Sequence, residues 1–319
     1  MLNSFLFNLC ILCVSVVMLS LATTTPQISE PTIFADGVIS TRDFEASITF
    51  SPDGNVAYFV KATPDLSFRV ILVSRLEKGK WTVPEVAPFS GEYSDTDPCF
   101  SPDGTKLYFA SRRPVEGTTP KPDLDLWVVE KTNTGWGEPR HLTAPVNTES
   151  QETSPSVTAD GTLYFASNRA GGKGSFDIYR SKLADGNFGA PENAGDGINT
   201  PGPELQVFVT PDDNLLLFAA IGRPDGQGSV DLYLSKRTEG AWSKPTNLGN
   251  KINSQGADTA PRISWDRRHF YWTSTRGYGF EAQQAHRLSY KELSNKLQGA
   301  GNSLGDIYQI DLKAVPGFN

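Results

Sequence analysis

Ser-Pro-Asp-Gly occupies positions 51–54 and returns at 101–104; weaker copies follow as Thr-Ala-Asp-Gly at 158–161, Thr-Pro-Asp-Asp at 210–213 and Ser-Trp-Asp-Arg at 264–267. The spacings are 50, 57, 52 and 54 residues. Each copy follows a hydrophobe (Phe50, Phe100, Val157, Val209, Ile263) and precedes an apolar pair: Tyr58-Phe59, Tyr108-Phe109, Tyr164-Phe165, Leu217-Phe218, Tyr271-Trp272. Two strand-like runs joined by Asp-Gly read as a β-hairpin. A period near 50 residues marks a repeat architecture whose units bury their apolar faces only against one another.

Two further elements recur. An Asp-aliphatic-aromatic run appears at Asp125-Leu126-Trp127, Asp177-Ile178-Tyr179, Asp231-Leu232-Tyr233 and Asp306-Ile307-Tyr308, with Val70-Ile71-Leu72 as a divergent first copy. A bulky residue stands three before a proline at Trp81/Pro84, Trp136/Pro139, Phe188/Pro191 and Trp242/Pro245. Four strands per unit describe a propeller blade. Five sets of the first three strands are present, starting near 45, 95, 152, 204 and 258, but no fourth strand follows Asp306–Leu312. The missing piece lies at the other end, where Ile28, Pro31 and Ile39-Ser40-Thr41 match Trp242, Pro245 and Ile252-Asn253-Ser254. The expectation is an all-β, five-bladed propeller whose N-terminal strand closes the last blade and removes the open edges. The six-bladed alternative needs a further set that the sequence lacks. Segments 114–124 and 277–303 are the longest insertions, the second containing a short helix over 290–297.

The formal charge is -7, from 29 basic and 36 acidic residues, which argues against a nucleic-acid partner. Glycine and proline number 29 and 22, far more turn punctuation than a helical bundle uses. The first 22 residues carry no charge, and the apolar stretch 5–21 ends in Ser20-Leu21-Ala22, a site for signal peptidase. This predicts a signal peptide over 1–22, one propeller domain over 23–319 with no membrane span after cleavage, and a periplasmic or secreted monomer. An uncleaved anchor is the alternative. Cys10 and Cys13 lie in the leader, each preceded by Leu rather than the small residue of a lipidation site. Only Cys99 remains after cleavage, so no intramolecular disulfide is expected and Cys99 reads as a small buried hydrophobe.

Ser-Pro-Asp-Gly-x-x-x-Tyr-Phe-x-Ser followed by Asp-Ile-Tyr resembles the WD40-like Pro-Asp propeller repeat of periplasmic TolB-type proteins. The best match runs from Phe165 through Asn168-Arg169 and Gly171-Gly172-Lys173-Gly174-Ser175 to Asp177-Ile178-Tyr179. The resemblance extends from about 28 to 312 and implies a propeller that serves as a protein-binding platform or as a gate for a peptidase domain. Peptidase chemistry is not expected of this chain.

Several chemical readings reduce to structure. His141, His269 and His286 fall in different repeat elements and do not suggest a shared metal or triad. Gly171–Ser175 looks like a phosphate loop, yet its counterpart at 224–229 marks it as a repeated turn. The turn aspartates 53, 103, 160, 212 and 266 are expected to bond their own backbone.

One set points to a site. Five residues before the hydrophobe ending each first strand stands a carboxylate: Glu45, Asp95, Glu152, Glu204, Asp258, with Asp97 as a sixth. Equivalent positions on five innermost strands form a ring, which either holds a divalent cation such as calcium or a cationic ligand group, or locks the blades through backbone amides and a neighbouring Arg. Arg113, Arg169, Arg223 and Arg276 follow the second strands and precede Asp125, Asp177, Asp231 and Asp306. Blade one has Thr63 and Val70 instead, and this joint loss predicts an Arg–Asp ion pair within each of the other blades. The ring, the arginines and the long insertions share one face. The preferred reading is a non-enzymatic propeller binding an envelope protein or polysaccharide there. The alternative is a glycoside hydrolase using two carboxylates among Asp95, Asp97, Glu152 and Glu204.

Overall fold

The computed structural model describes residues 27–277 and 287–318. The expected leader lies outside these residues. Each Asp-Gly element forms the hairpin turn that its side chains dictate. In the first, the Asp53 carboxylate accepts from Ser51 Oγ and from the Asn55 amide, and Gly54 takes the left-handed conformation (φ 74°) that closes the turn. Where Gly is absent, Asp213 and Arg267 adopt the same conformation at φ 55°.

These hairpins begin five antiparallel sheets. Blade one runs Phe44–Phe50, Val56–Ala62 and Arg69–Glu77, with Lys80–Trp81 and Glu85–Val86 on the outer edge. Blades two, three and four repeat this order, their first three strands being Asp95–Phe100, Lys106–Ser111, Asp125–Thr132; Glu152–Val157, Leu163–Ser167, Asp177–Ser181; and Glu204–Val209, Leu215–Ala220, Asp231–Thr238. Blade five has Asp258–Ile263, His269–Ser274 and Asp306–Asp311, and takes its outer strand from Thr32–Ile33, paired as Thr32↔Gln309 and Ile33↔Tyr308. The first strands of neighbouring blades pack side by side, and the first strand of blade one packs against that of blade five, so the ring of five closes. The expected N-terminal closure and blade count are what the structure shows. Ser40 completes the closure: its hydroxyl bonds Ile307 O and accepts from Ile307 N, doing for blade five what the amides of Asn147, Asn199 and Asn253 do for Leu126, Ile178 and Leu232.

The core lies between blades. Phe34 from the closing segment packs edge-on against Phe50, Trp81 and Tyr271, joining blades five and one. The recurring bulky residue before proline is an interblade wedge, as where Trp136 Nε1 donates to Tyr58 OH at 2.7 Å. The one α-helix among the described residues, Tyr290–Leu297, lies within the second insertion and starts with a Ser289/Glu292 capping box. No helix among the described residues is long and apolar enough to cross a membrane.

Candidate functional site

Glu45, Asp95, Glu152, Glu204 and Asp258 are all fully buried, at 0% exposure. A buried carboxylate needs donors on every side, and each of these has them. From the connection leading into the blade, Thr41, Thr148, Thr200 and Ser254 each donate a hydroxyl and a backbone N–H to the carboxylate four residues on. Blade two uses the Ser90 hydroxyl on Asp95 at 2.7 Å.

From the second strand comes a cation, and here the expected pairing is corrected. Arg113 bonds Asp95 at 2.8 Å, Arg169 bonds Glu152 at 3.1 Å, Arg223 bonds Glu204 at 3.0 Å and Arg276 bonds Asp258 at 3.0 Å. None of them pairs with the aspartate that opens the third strand. Each guanidinium lies over the blade's aromatic residues, Arg169 being 5.0 Å from both the Phe165 and Tyr179 rings, and is thereby aimed inward at the first strand. It also donates to a carbonyl of the preceding connection: Phe89, Val146, Ile198 or Ile252. Burial raises the pKa of Glu45 and Glu204, against the hydroxyl, amide and cation contacts that lower it.

The third-strand aspartates find other donors. Asp177 accepts from the backbone N–H of Lys173 and Gly174 and from Asn193, and Asp231 from the N–H of Gln227 and Gly228. The glycine-rich segment is thus a turn wrapped around a carboxylate: a Cβ on Gly172 would lie 2.8 Å from the Asp177 carboxylate, and one on Gly226 equally close to Asp231. Asp125 is bonded by His141 at 2.7 Å and Lys121 at 2.5 Å; burial works to raise its pKa, but these two partners hold it below the ordinary value. Among the described residues Asp306 accepts only the Gly301 N–H, and burial, reinforced by Glu45 and Asp36, pushes its pKa up to about 7.

The channel is lined two residues further along each first strand. Ser47, Asp97, Ser154, Gln206 and Ala260 all adopt φ between 47° and 55°, and at each the strand pairing slips by a bulge. These five residues line one channel cavity, whereas the expected ring of Glu45, Asp95, Glu152, Glu204 and Asp258 does not. A bulge inserts one residue and reverses the alternation of side chains, so the lining position is the bulge residue itself and not the carboxylate two residues before it. Pro98, Pro155 and Pro261, each directly after a bulge residue, carried that signal, because a mid-strand proline fits only an edge or a bulge. Of the six carboxylates named from the sequence, Asp97 alone lines this cavity, and it accepts from the hydroxyls of Ser47, Thr153 and Ser154 at 2.7–2.9 Å. Among the described residues no group of three or more His, Cys, Asp or Glu is placed to hold a metal ion, so the expected cation ring does not assemble.

A basic pair lies within electrostatic reach of Asp97. The backbone amide of Arg69 donates to Ser94 Oγ and that of Arg112 to Ser94 O, bringing the two arginines together beside the insertion that follows Arg113. Burial, with the neighbouring Arg112, lowers the pKa of Arg69 against the pull of Asp97, and Arg112 Nε is buried with no hydrogen-bond partner among the described residues. The sequence analysis did not single out either residue; their only sequence signal is position, Arg69 opening the third strand of blade one and Arg112 directly following the second strand of blade two.

No family model and no curated protein matches the chain. Solved structures do. A TolB candidate from Agrobacterium tumefaciens is similar at 17% identity over 84% of this chain and 90% of its own, with a TM-score of 0.47. An alpha-L-arabinofuranosidase from Lactobacillus brevis is similar at 12% identity over 86% and 92%, with a TM-score of 0.49. A glycoside hydrolase aligns at 6% identity over 89% and 92%, with a TM-score of 0.54. At these identities the likeness concerns the propeller fold, which hosts both binding proteins and enzymes.

Proposed function

We propose that this chain is an exported, non-enzymatic binding propeller that engages a protein or polysaccharide of the cell envelope over the insertion-bearing face. The observation that carries this reading is the sequestration of the carboxylates: five of the six candidates are fully buried and held by hydroxyls and by Arg or Lys of their own blade. Glycoside hydrolysis needs two carboxyl groups flanking an open cleft, and that alternative retains Asp97 alone at this mouth. The guanidinium groups of Arg69 and Arg112, which have no ion-pair partner among the described residues, favour a partner that presents anionic groups, because a guanidinium matches carboxylate and phosphate geometry.

The test uses residues 23–319 as bait in cross-linking capture from an envelope extract, beside a glycan array and a reducing-sugar release assay on a polysaccharide panel. Saturable capture of one partner, weakened at least ~10-fold in Arg69→Glu/Arg112→Glu with an unchanged melting temperature, supports the reading. Equal capture by the double variant, or release of reducing sugar by the wild type, overturns it.

A further inference from the structure

The other end of the channel, at the hairpin turns, is a different environment. Two residues beyond each bulge the first strands contribute Thr49, Cys99, Ser156, Phe208 and Arg262, and all five line a cavity of about 230 Å³. Its walls are largely apolar: Phe50, Phe100, Val157, Val209, Ile263 and Trp265. Trp265 is fixed there by its Nε1, which donates to Phe50 O at 2.7 Å. On the rim, Arg267 is occupied by Asp212 at 2.6 Å.

Arg262 is the one cation of this lining with no carboxylate partner among the described residues. It borders both channel cavities, so its side chain lies between the two mouths. Its guanidinium stands over the Phe208 ring at 4.8 Å, donates through Nε to Ile48 O at 3.3 Å and approaches Cys99 Sγ with Nη1 at 3.5 Å. No carboxylate pairs with it among the described residues, in contrast to Arg113, Arg169, Arg223 and Arg276. Two further donors line the same cavity. Thr49 Oγ1 and Ser156 Oγ accept the backbone N–H of Phe100 and Val209 from the neighbouring blade, so each hydroxyl keeps its own hydrogen to donate. A cation and two hydroxyl donors, set in a largely apolar chamber whose one lining carboxylate, Asp212, is already paired with Arg267, are complementary to one anionic oxygen pair carried on an apolar body.

We propose that this turn-side cavity binds a small monocarboxylate with an aromatic or branched apolar body, its carboxylate on Arg262 and its body among Phe50, Phe100, Phe208 and Trp265. The volume favours a small molecule over a longer chain, since about 230 Å³ lies below the ~300–1,000 Å³ of drug-sized pockets. The site lies at the opposite end of the channel from the insertion-bearing face and does not depend on that face having a partner.

Calorimetry with 3-phenylpropanoate, and with 3-phenylpropanamide as the uncharged isostere, tests the assignment. The acid binds the wild type with 1:1 stoichiometry, and the amide binds at least ~10-fold more weakly. Arg262→Gln loses affinity about 10- to 100-fold, as removal of a charge-assisted hydrogen bond requires. Ser156→Ala, a smaller change, weakens the acid more than the amide and serves if Arg262→Gln fails to fold. No binding of the acid to the wild type, or equal binding of acid and amide, overturns the proposal whatever the variants do. Tighter binding of a peptide ending in phenylalanine than of the free acid overturns the small-molecule assignment.

Discussion

Blades one and three solve the same problem with different residues. In blade three Glu152 faces Ser167 across the ladder; Ser167 Oγ donates to Glu152 and also accepts from Arg169 Nε, while the guanidinium reaches Glu152. In blade one the residue facing Glu45 is Lys61, which occupies the serine position and bonds Glu45 directly at 3.1 Å and Asp43 at 2.9 Å. Blade one therefore lacks the arginine and still neutralises its buried carboxylate. The joint absence of Arg and Asp from that blade is two separate substitutions, and it never indicated that the two residues pair. Blade five departs in another way: its outer strand comes from the opposite end of the chain, and among the described residues its third-strand Asp306 has one donor where Asp177 has three.

The largest effect belongs to blade five. Deleting residues 27–41 removes the closing strand together with buried Phe34 and Ile39, each worth roughly 1.5–3 kcal/mol, and bares a sheet edge. A loss of ~5 kcal/mol or outright aggregation is expected in urea melts, whereas an unchanged midpoint would mean that closure contributes nothing.

Next comes Arg169→Ala, which strands Glu152 without its cation and is expected to cost ~3–5 kcal/mol. A double-mutant cycle locates the partner. Coupling is strong with Glu152→Gln and weak with Asp177→Asn, and the reverse order would restore the pairing expected from sequence.

Asp306 sharpens the contrast with blade three through pH. Burial holds its carboxyl up at about 7 in the folded chain, well above the ordinary 3.8 of an aspartate, so the native state holds a proton that the unfolded state releases. The resulting stability is fully present below about pH 4 and is lost as pH rises through about 7. Asp306→Asn should remove this decline and be more stable than wild type by ~2–4 kcal/mol at pH 8. Parallel stability curves for the two proteins from pH 4 to 8 would contradict it.

The smallest effect is Lys61→Ala, expected to cost ~1 kcal/mol, because the lysine side chain is 32% exposed and Thr41 still serves Glu45. A cost as large as that of Arg169→Ala would show that the two blades are energetically equivalent despite their chemistry.

The sequence was sufficient for the blade count, the circular closure, the turn aspartates and the helix at 290–297, because each is written in local spacing: a hairpin signature, a repeated strand grammar, a capped amphipathic run. It also located the five carboxylates as an equivalent set. Only the tertiary structure decided which way they face. One bulge residue per first strand turns Ser47, Asp97, Ser154, Gln206 and Ala260 into the channel and leaves the acidic set inside the blades. The arginine partner was equally out of reach, since it depends on three strands meeting in space and on aromatic rings that aim the guanidinium inward. Arg262 illustrates the same limit: nothing near it in the chain distinguishes it from a surface arginine, and only the convergence of five blades leaves its charge in an apolar cavity without a counter-ion among the described residues.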